Sequence, residues 1–286
     1  MSDPEIRTRY LDLLERSLTH TLYAGADAVG YPPRSRIRRL LLRLLRRRGL
    51  VPVRILPEQE RLQREGRTWP LFAHTMIGVE RLNSLRRCVE TVLADGVPGD
   101  LIEAGVWRGG ASILMRGVLE ANGVTDRTVW VADSFRGLPE PSSAYPADRG
   151  ADWHTADYLA VSLDEVKANF VRYGLLDDQV RFVEGWFRDT LPALTAESWA
   201  VVRLDGDMYE STMDALVNLY PRLAPGGFLI VDDYAIPSCR QAVDDFRQSE
   251  AIEEPLETVD WTGVYWRRGT AASNPASGAT NTSDVS

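Results

Sequence analysis

Leu101-Ile-Glu-Ala-Gly105-Val-Trp-Arg-Gly-Gly110 reads as a short apolar strand that runs into a glycine turn and hands over to a helix. Similar apolar runs recur downstream. Residues 128–132 end at Asp133, 180–183 end in Glu184-Gly185, 200–204 end in Asp205-Gly206-Asp207, and 228–231 end in Asp232-Asp233. Helical spacing fills the gaps. Residues 76–94 place Leu82, Leu85, Val89 and Val92 on one stripe, with Asp95-Gly96 as the stop. Residues 111–121 stop at Asn122-Gly123, and Ser162-Leu-Asp-Glu165 opens a helix that ends at Tyr173-Gly174. A helix to Leu219 precedes a Pro225-Gly226-Gly227 turn, another spans 240–248, and short strands at 256–260 and 263–266 close the pattern. Strands alternating with helices imply an α/β fold, a mostly parallel sheet with helices on both faces. Continuous apolar strands suit a sheet covered on both sides.

The composition is that of a globular chain of 286 residues, 44% hydrophobic and 26% charged. A net charge of −8 argues against a general affinity for nucleic-acid phosphates. Two cysteines, Cys88 and Cys239, form neither a disulfide framework nor a thiolate metal cluster, and Cys88 falls in a helical apolar stripe as core filler. The first residues are polar and no apolar run has the length of a membrane span, so the cytoplasm is the expected compartment.

Residues 1–74 differ in texture from residues 75–268. Residues 10–23 carry Leu11, Leu14, Leu18 and Leu22 at helical spacing, and Pro32-Pro33 breaks the pattern. Residues 34–48 set Leu40, Leu41, Leu42, Leu44 and Leu45 among arginines. Such a helix either lies on a membrane surface or turns a solvated arginine face outward with its leucines packed on the domain. The second reading is preferred, because no lipid anchor accompanies the segment. Residues 269–286 are rich in Ser, Thr, Ala, Gly and Asn and are expected to be disordered.

Ligands of open parallel sheets bind beyond the carboxyl ends of the strands. Each of the first five strand ends carries an acid: Glu103, Asp133, Glu184, Asp205 with Asp207, and Asp232 with Asp233. One such acid is an ordinary turn former; five are harder to dismiss. The turn after Glu103 lacks the full G-x-G-x-x-G spacing, and Trp107 stands where a nucleotide-binding turn often has its middle glycine. This disfavours a pyrophosphate and leaves room for a ligand without phosphates. Asp133 is placed to take the ribose hydroxyls of an adenosine. Asp205, Asp232 and Asp233 end strands expected to be sheet neighbours. Carboxylates so close repel unless protonated or joined by a hard cation, and an all-oxygen set suits Mg²⁺. Asp207 has the position of a general base.

With Thr75-Met-Ile-Gly78, Asp133-Ser-Phe-Arg-Gly137, Arg203-Leu-Asp-Gly-Asp-Met-Tyr-Glu-Ser211 and Val231-Asp-Asp-Tyr234, the chain resembles the TylF/NovP-type family. Those enzymes are sugar O-methyltransferases of antibiotic biosynthesis. The resemblance covers roughly residues 10–266. It implies the Rossmann-like class I methyltransferase fold, a seven-stranded sheet with an N-terminal helical lid. It implies S-adenosylmethionine (SAM) as donor, contacted by Thr75, Met76, Glu103, Ala104, Gly105, Val106, Trp107, Asp133, Ser134, Phe135, Arg136, Gly137, Gly185 and Trp186. It further implies Mg²⁺ on Asp205, Asp232 and Asp233, Asp207 as the catalytic residue, and a homodimer or larger oligomer.

The expected reaction is methylation of a deoxysugar hydroxyl on a small glycoside, with the long segment 134–161 closing over the site. His154 in that segment is the alternative base. A catechol-type O-methyltransferase remains a rival. A NAD(P)-dependent oxidoreductase is disfavoured by Trp107, by Asp205-Gly-Asp207 and by the lack of a Tyr-x-x-x-Lys pair.

Overall fold

The computed structural model describes residues 3–23, 29–30, 35–50, 53–54, 58–68, 70–195 and 197–269. The expected disorder of residues 270–286 lies outside them. Among the described residues the main sheet has seven strands: β1 (Asp100–Ala104), β2 (Val129–Asp133), β3 (Val180–Glu184), β4 (Trp199–Leu204), β5 (Leu223–Val231), β6 (Glu257–Thr258) and β7 (Val264–Arg267). Their order is β3-β2-β1-β4-β5-β7-β6. The first five are parallel, and β7 pairs antiparallel with both β5 and β6. The order reverses between β1 and β4, which makes the carboxyl end of that pair the place where an open sheet leaves a crevice. A separate ladder of two residues per strand joins Val29–Gly30 to Val53–Arg54.

Side chains alternate across the strands and feed two cores. The described helices are α1 (Asp3–Leu18), α2 (Arg36–Arg47), α3 (Gln59–Arg64), α4 (Gly78–Ala94), α5 (Gly110–Ala121), α6 (Leu163–Arg172), α7 (Phe187–Thr190), α8 (Tyr209–Leu219) and α9 (Pro237–Ser249). Leu101, Val129, Val131 and Val201 pack with α1, α4, α5 and α6. Ile102, Val202, Leu204 and Leu229 face α8 (Tyr209–Leu219) and α9 (Pro237–Ser249). Helix α1 seats Leu14 on Gly117 of α5, where any Cβ would overlap the leucine. Cys88 is core filler, and burial pushes its thiol up to about 12.

Three expectations need correction. The N-terminal helix runs from Asp3 to Leu18, because His20 adopts a left-handed φ of 57° and ends it, leaving Tyr23 exposed. Pro225-Gly226-Gly227 is a bulge inside β5, not a turn before it: the register jumps from Leu223 opposite Trp199 to Phe228 opposite Val201. Helix α2 (Arg36–Arg47) forms where the basic stretch was read as helical, yet Leu40, Leu41 and Leu44 are at least half exposed, not packed on the domain. No described helix is long and apolar enough to cross a membrane.

His74 couples the N-terminal helices to the sheet domain. Its N–H donates to Leu18 O (2.8 Å), its carbonyl accepts from Gly110 N (3.0 Å), and its Nδ1 meets the Tyr173 hydroxyl at 2.8 Å. Burial and the neighbouring Arg108 and Arg172 lower its pKa to about 4. Between about 4 and 6.5 the unfolded chain therefore holds a proton on this ring that the folded chain does not, and stability from this site falls as pH falls through that window. Denaturant titrations of wild type and His74→Gln across it should show a shallower acid-side loss in the variant. Parallel curves would contradict this role.

Candidate active site

Four carboxylates meet one guanidinium network at the carboxyl ends of β1, β4 and β5. Arg203, 1% exposed, lies at the middle of the sheet. It donates to Glu103, to Asp205 (2.9 Å) and to Asp232 (2.5 Å). Arg81 of α4, also buried, takes the other oxygen of Asp232 and reaches Asp260 at 3.0 Å. Asp232 is thus held between two arginines. Glu103 is equally committed, to Arg203 and the Ser112 hydroxyl, and burial raises its pKa to about 7.

The remaining acids converge differently. Carboxylate oxygens of Asp205, Asp207 and Asp233 lie within 4.8 Å of one another, and the Asp207 N–H donates to Asp233 at 3.1 Å. Burial raises all three, and nearby carboxylates, Asp232 among them, add to it: Asp205 goes above its ordinary range, Asp207 to about 7, Asp233 well above the usual carboxylate value. The cluster differs from the expected metal set by one residue, with Asp207 in the group and Asp232 behind it in ion pairs.

Beside the cluster is a cavity partly open to solvent. Ten of the expected residues that line or border it come together: Met76, Gly105, Trp107, Asp133, Ser134, Gly137, Gly185, Trp186, Asp205 and Asp207. Thr75, Glu103, Ala104, Val106, Phe135, Arg136, Asp232 and Asp233 are not on its wall. Thr75 packs beneath Gly110 at the start of α5, and Val106 and Phe135 act through their backbone N–H groups. Sequence reading missed Leu138, Pro139 and Leu159 from the long loop, Phe187 and Arg188, and Glu210, Ser211 and Asp214. A signal existed for the last group. Glu210 and Asp214 are four residues apart on the helix that follows Asp207, so they share its face. His154 is exposed and is absent from the wall.

Backbone strain marks the strand ends. Trp107, Phe135 and Asp207 have φ of 48°, 54° and 56°, a region costing about 1–3 kcal/mol for a residue with a side chain. Each is tied down. The Trp107 indole N–H donates to Tyr158 O (2.9 Å) with Arg108 over its ring at 4.2 Å. Asp133 accepts from Val106 N (2.8 Å) with one oxygen and from Phe135 N (2.7 Å) with the other, which knits the first two strand ends together. Gly105, φ 93°, passes so close to the Asp205 carbonyl that a Cβ would overlap it.

This strand order, glycine turn and acid-rimmed cavity define a class I SAM-dependent methyltransferase. The profile of the macrocin-O-methyltransferase (TylF) family matches residues 7–268. The chain belongs to that family and is an O-methyltransferase. It is 59% identical over 217 residues, 75% of this chain and 83% of the relative, to the 8-demethyl-8-(2,3-dimethoxy-alpha-L-rhamnosyl)-tetracenomycin-C 4'-O-methyltransferase of Streptomyces olivaceus. It is 48% identical over 263 residues, 91% of this chain and 96% of the relative, to the mycinamicin III 3''-O-methyltransferase of Micromonospora griseorubida. Among solved structures, the O-methyltransferase NovP superposes with a TM-score of 0.80 at 47% identity, covering 92% of this chain and all of that one.

Two substitutions test this geometry. Gly105→Ala should abolish S-adenosylhomocysteine (SAH) binding by calorimetry, since the turn must move away from Asp205; unchanged affinity would contradict the close approach. Arg203→Met should lower unfolding free energy by about 3–5 kcal/mol, because Glu103 and Asp232 lose a buried partner. A loss below about 1 kcal/mol would show that the network is not buried as described.

Proposed function

We propose that the chain methylates a hydroxyl of a sugar carried by a natural product, with SAM as donor and a divalent cation, Mg²⁺ by its chemistry, at the acidic cluster. The observation that carries this is the convergence of Asp205, Asp207 and Asp233 beside a cavity lined by residues expected to contact SAM. The relatives named above, which act on a rhamnosyl tetracenomycin and a mycinamicin, support the choice of a glycoside.

The residues fit such a cation. The raised pKa values show that these three carboxyls resist ionisation unless a positive charge joins them, and hard oxygen ligands favour Mg²⁺ over softer metals. Asp205 and Asp233 are the ligands we assign. Asp232, expected as a third, backs Asp205 through Arg203. When bound, the cation supplies Lewis acidity that lowers the pKa of the acceptor hydroxyl and helps orient it.

SAM supplies a methyl group made electrophilic by its sulfonium. The chain's residues do the rest. Gly105 and Gly185 let the backbone approach the donor, and Asp133 faces the same cavity with lone pairs left for ribose hydroxyls. Trp107, Trp186, Phe187, Leu138, Pro139 and Leu159 supply an apolar enclosure. The loop that contributes the last three excludes water. Asp207 takes the hydroxyl proton as the oxygen attacks. Its place on the cavity wall favours it over the exposed His154. Holding acceptor oxygen, methyl carbon and sulfur in line supplies much of the remaining acceleration. We extend the reading to a homodimer or larger assembly; the exposed Leu40, Leu41 and Leu44 of α2 support it as a face awaiting cover.

A panel of glycosides and catechols incubated with enzyme and SAM should show the mass gain of one methylene unit on glycosides. Methylation confined to catechols would overturn the sugar assignment. EDTA should abolish turnover and Mg²⁺ restore it; full activity in EDTA would remove the cation. Asp207→Asn should lower kcat by about a hundredfold or more while SAH affinity stays near that of wild type. Retained turnover would remove Asp207 from the base role.

A further inference from the structure

We infer that Asp148, in the loop over the cavity, is a positioning residue that holds the Asp207 turn in its working geometry and couples it to loop closure. The inference rests on the assignment of Asp207 as base. Helix α8 starts at Tyr209, and the residue at its cap position, Met208, makes no side-chain capping bond. The first N–H groups of a helix have no partner within it. Here the partner comes from far away in sequence. The Asp148 carboxylate accepts from Tyr209 N at 2.7 Å with Oδ1 and from Glu210 N at 3.0 Å with Oδ2. The residue is 1% exposed, and its charge lies at the positive end of the helix.

The neighbouring contact strengthens the reading. Tyr145, three residues before Asp148, sets its ring against that of Tyr209 with centroids 5.8 Å apart. The short 3₁₀ turn Pro146–Asp148 and the tyrosine before it are therefore fixed to the first residue of α8, by the Asp148 carboxylate and the Tyr145 ring. Asp207 lies only two residues upstream, in a left-handed conformation, and the intervening Met208 N–H turns back to Gly206 O at 2.5 Å. A link so short transmits any displacement of Tyr209 directly to Asp207. At its far end the loop is fixed again, by Trp107 Nε1–H to Tyr158 O. Leu159, the residue directly after this second fixed point, lines the cavity wall. A loop that lifts thus releases two orphan N–H groups of α8 and loosens the base.

The test compares Asp148→Asn and Asp148→Ala with wild type, and with each combined with Asp207→Asn. Amide hydrogen exchange is measured on the free protein, SAH affinity by calorimetry, and kcat and KM with a glycoside acceptor. Protection at Tyr209 and Glu210 should fall by about tenfold in Asp148→Ala and less in Asp148→Asn, which keeps one acceptor oxygen. kcat should fall in the same order, by about tenfold for the alanine variant, with SAH affinity within about twofold. In the Asp207→Asn background the further loss in kcat should vanish, because both changes act on one group. Wild-type protection at Tyr209 and Glu210 in either variant would overturn the cap. Full additivity with Asp207→Asn, or an unchanged kcat, would overturn the coupling. If Asp148→Ala does not fold, Asp148→Asn carries each comparison. Should Asp207→Asn alone keep its turnover, the base assignment fails, and the exchange data still decide the cap.

Discussion

A single buried guanidinium organises this molecule. Arg203 joins Glu103 of β1, Asp205 just past β4 and Asp232 just past β5, three strand ends that meet at the reversal point of the sheet. Burying an arginine among carboxylates gives weak net stability, because desolvation offsets much of the attraction. What it gives is placement, since each carboxylate has one geometry in which it satisfies the planar fork. Arg81 extends the network to Asp260 and places α4 against the same edge.

That placement sorts the acids into two groups with different chemistry. Glu103 is committed to Arg203 and Ser112, and Asp232 to Arg203 and Arg81. Asp205 keeps one side on Arg203 and turns the rest toward Asp207 and Asp233, where positive charge is lacking. Carboxylates left in that state hold protons or take a cation, and their raised pKa values express the imbalance. The left-handed residues at three strand ends add to the cost of assembling the site. Two full hydrophobic cores, one on each face of the sheet, offset that strain.

Much of the fold was legible because apolar strands and helical stripes are local signals. The strand ends at Gly105, Asp133, Glu184, Asp205 and Asp232 emerge directly from the pattern. The bulge at Pro225-Gly226-Gly227 did not, since those residues signal a turn and only pairing with β4 draws them into the sheet. In the site, residue type and strand position were enough to bring Gly105, Asp133, Gly185, Asp205 and Asp207 to one cavity wall. They were not enough to divide Asp232 from Asp207, because the division depends on Arg81, far away in sequence, and on which way Arg203 reaches. Glu103 was expected at the cofactor for the same reason and turns inward to the arginine. Asp148 had no sequence signal either: its helix begins 61 residues later.

The central claim is that Arg203 and Arg81 retain Asp232 while Asp205 and Asp233 stay free to bind a cation beside the donor. Crystals grown with SAH and Mn²⁺, measured at the manganese absorption edge, test it directly. The account predicts an anomalous peak against the carboxylates of Asp205 and Asp233, SAH between Gly105 and Gly185, and Asp232 still on its two arginines. A peak held by Asp232 with its arginine contacts broken, or SAH seated away from Gly105, would contradict it.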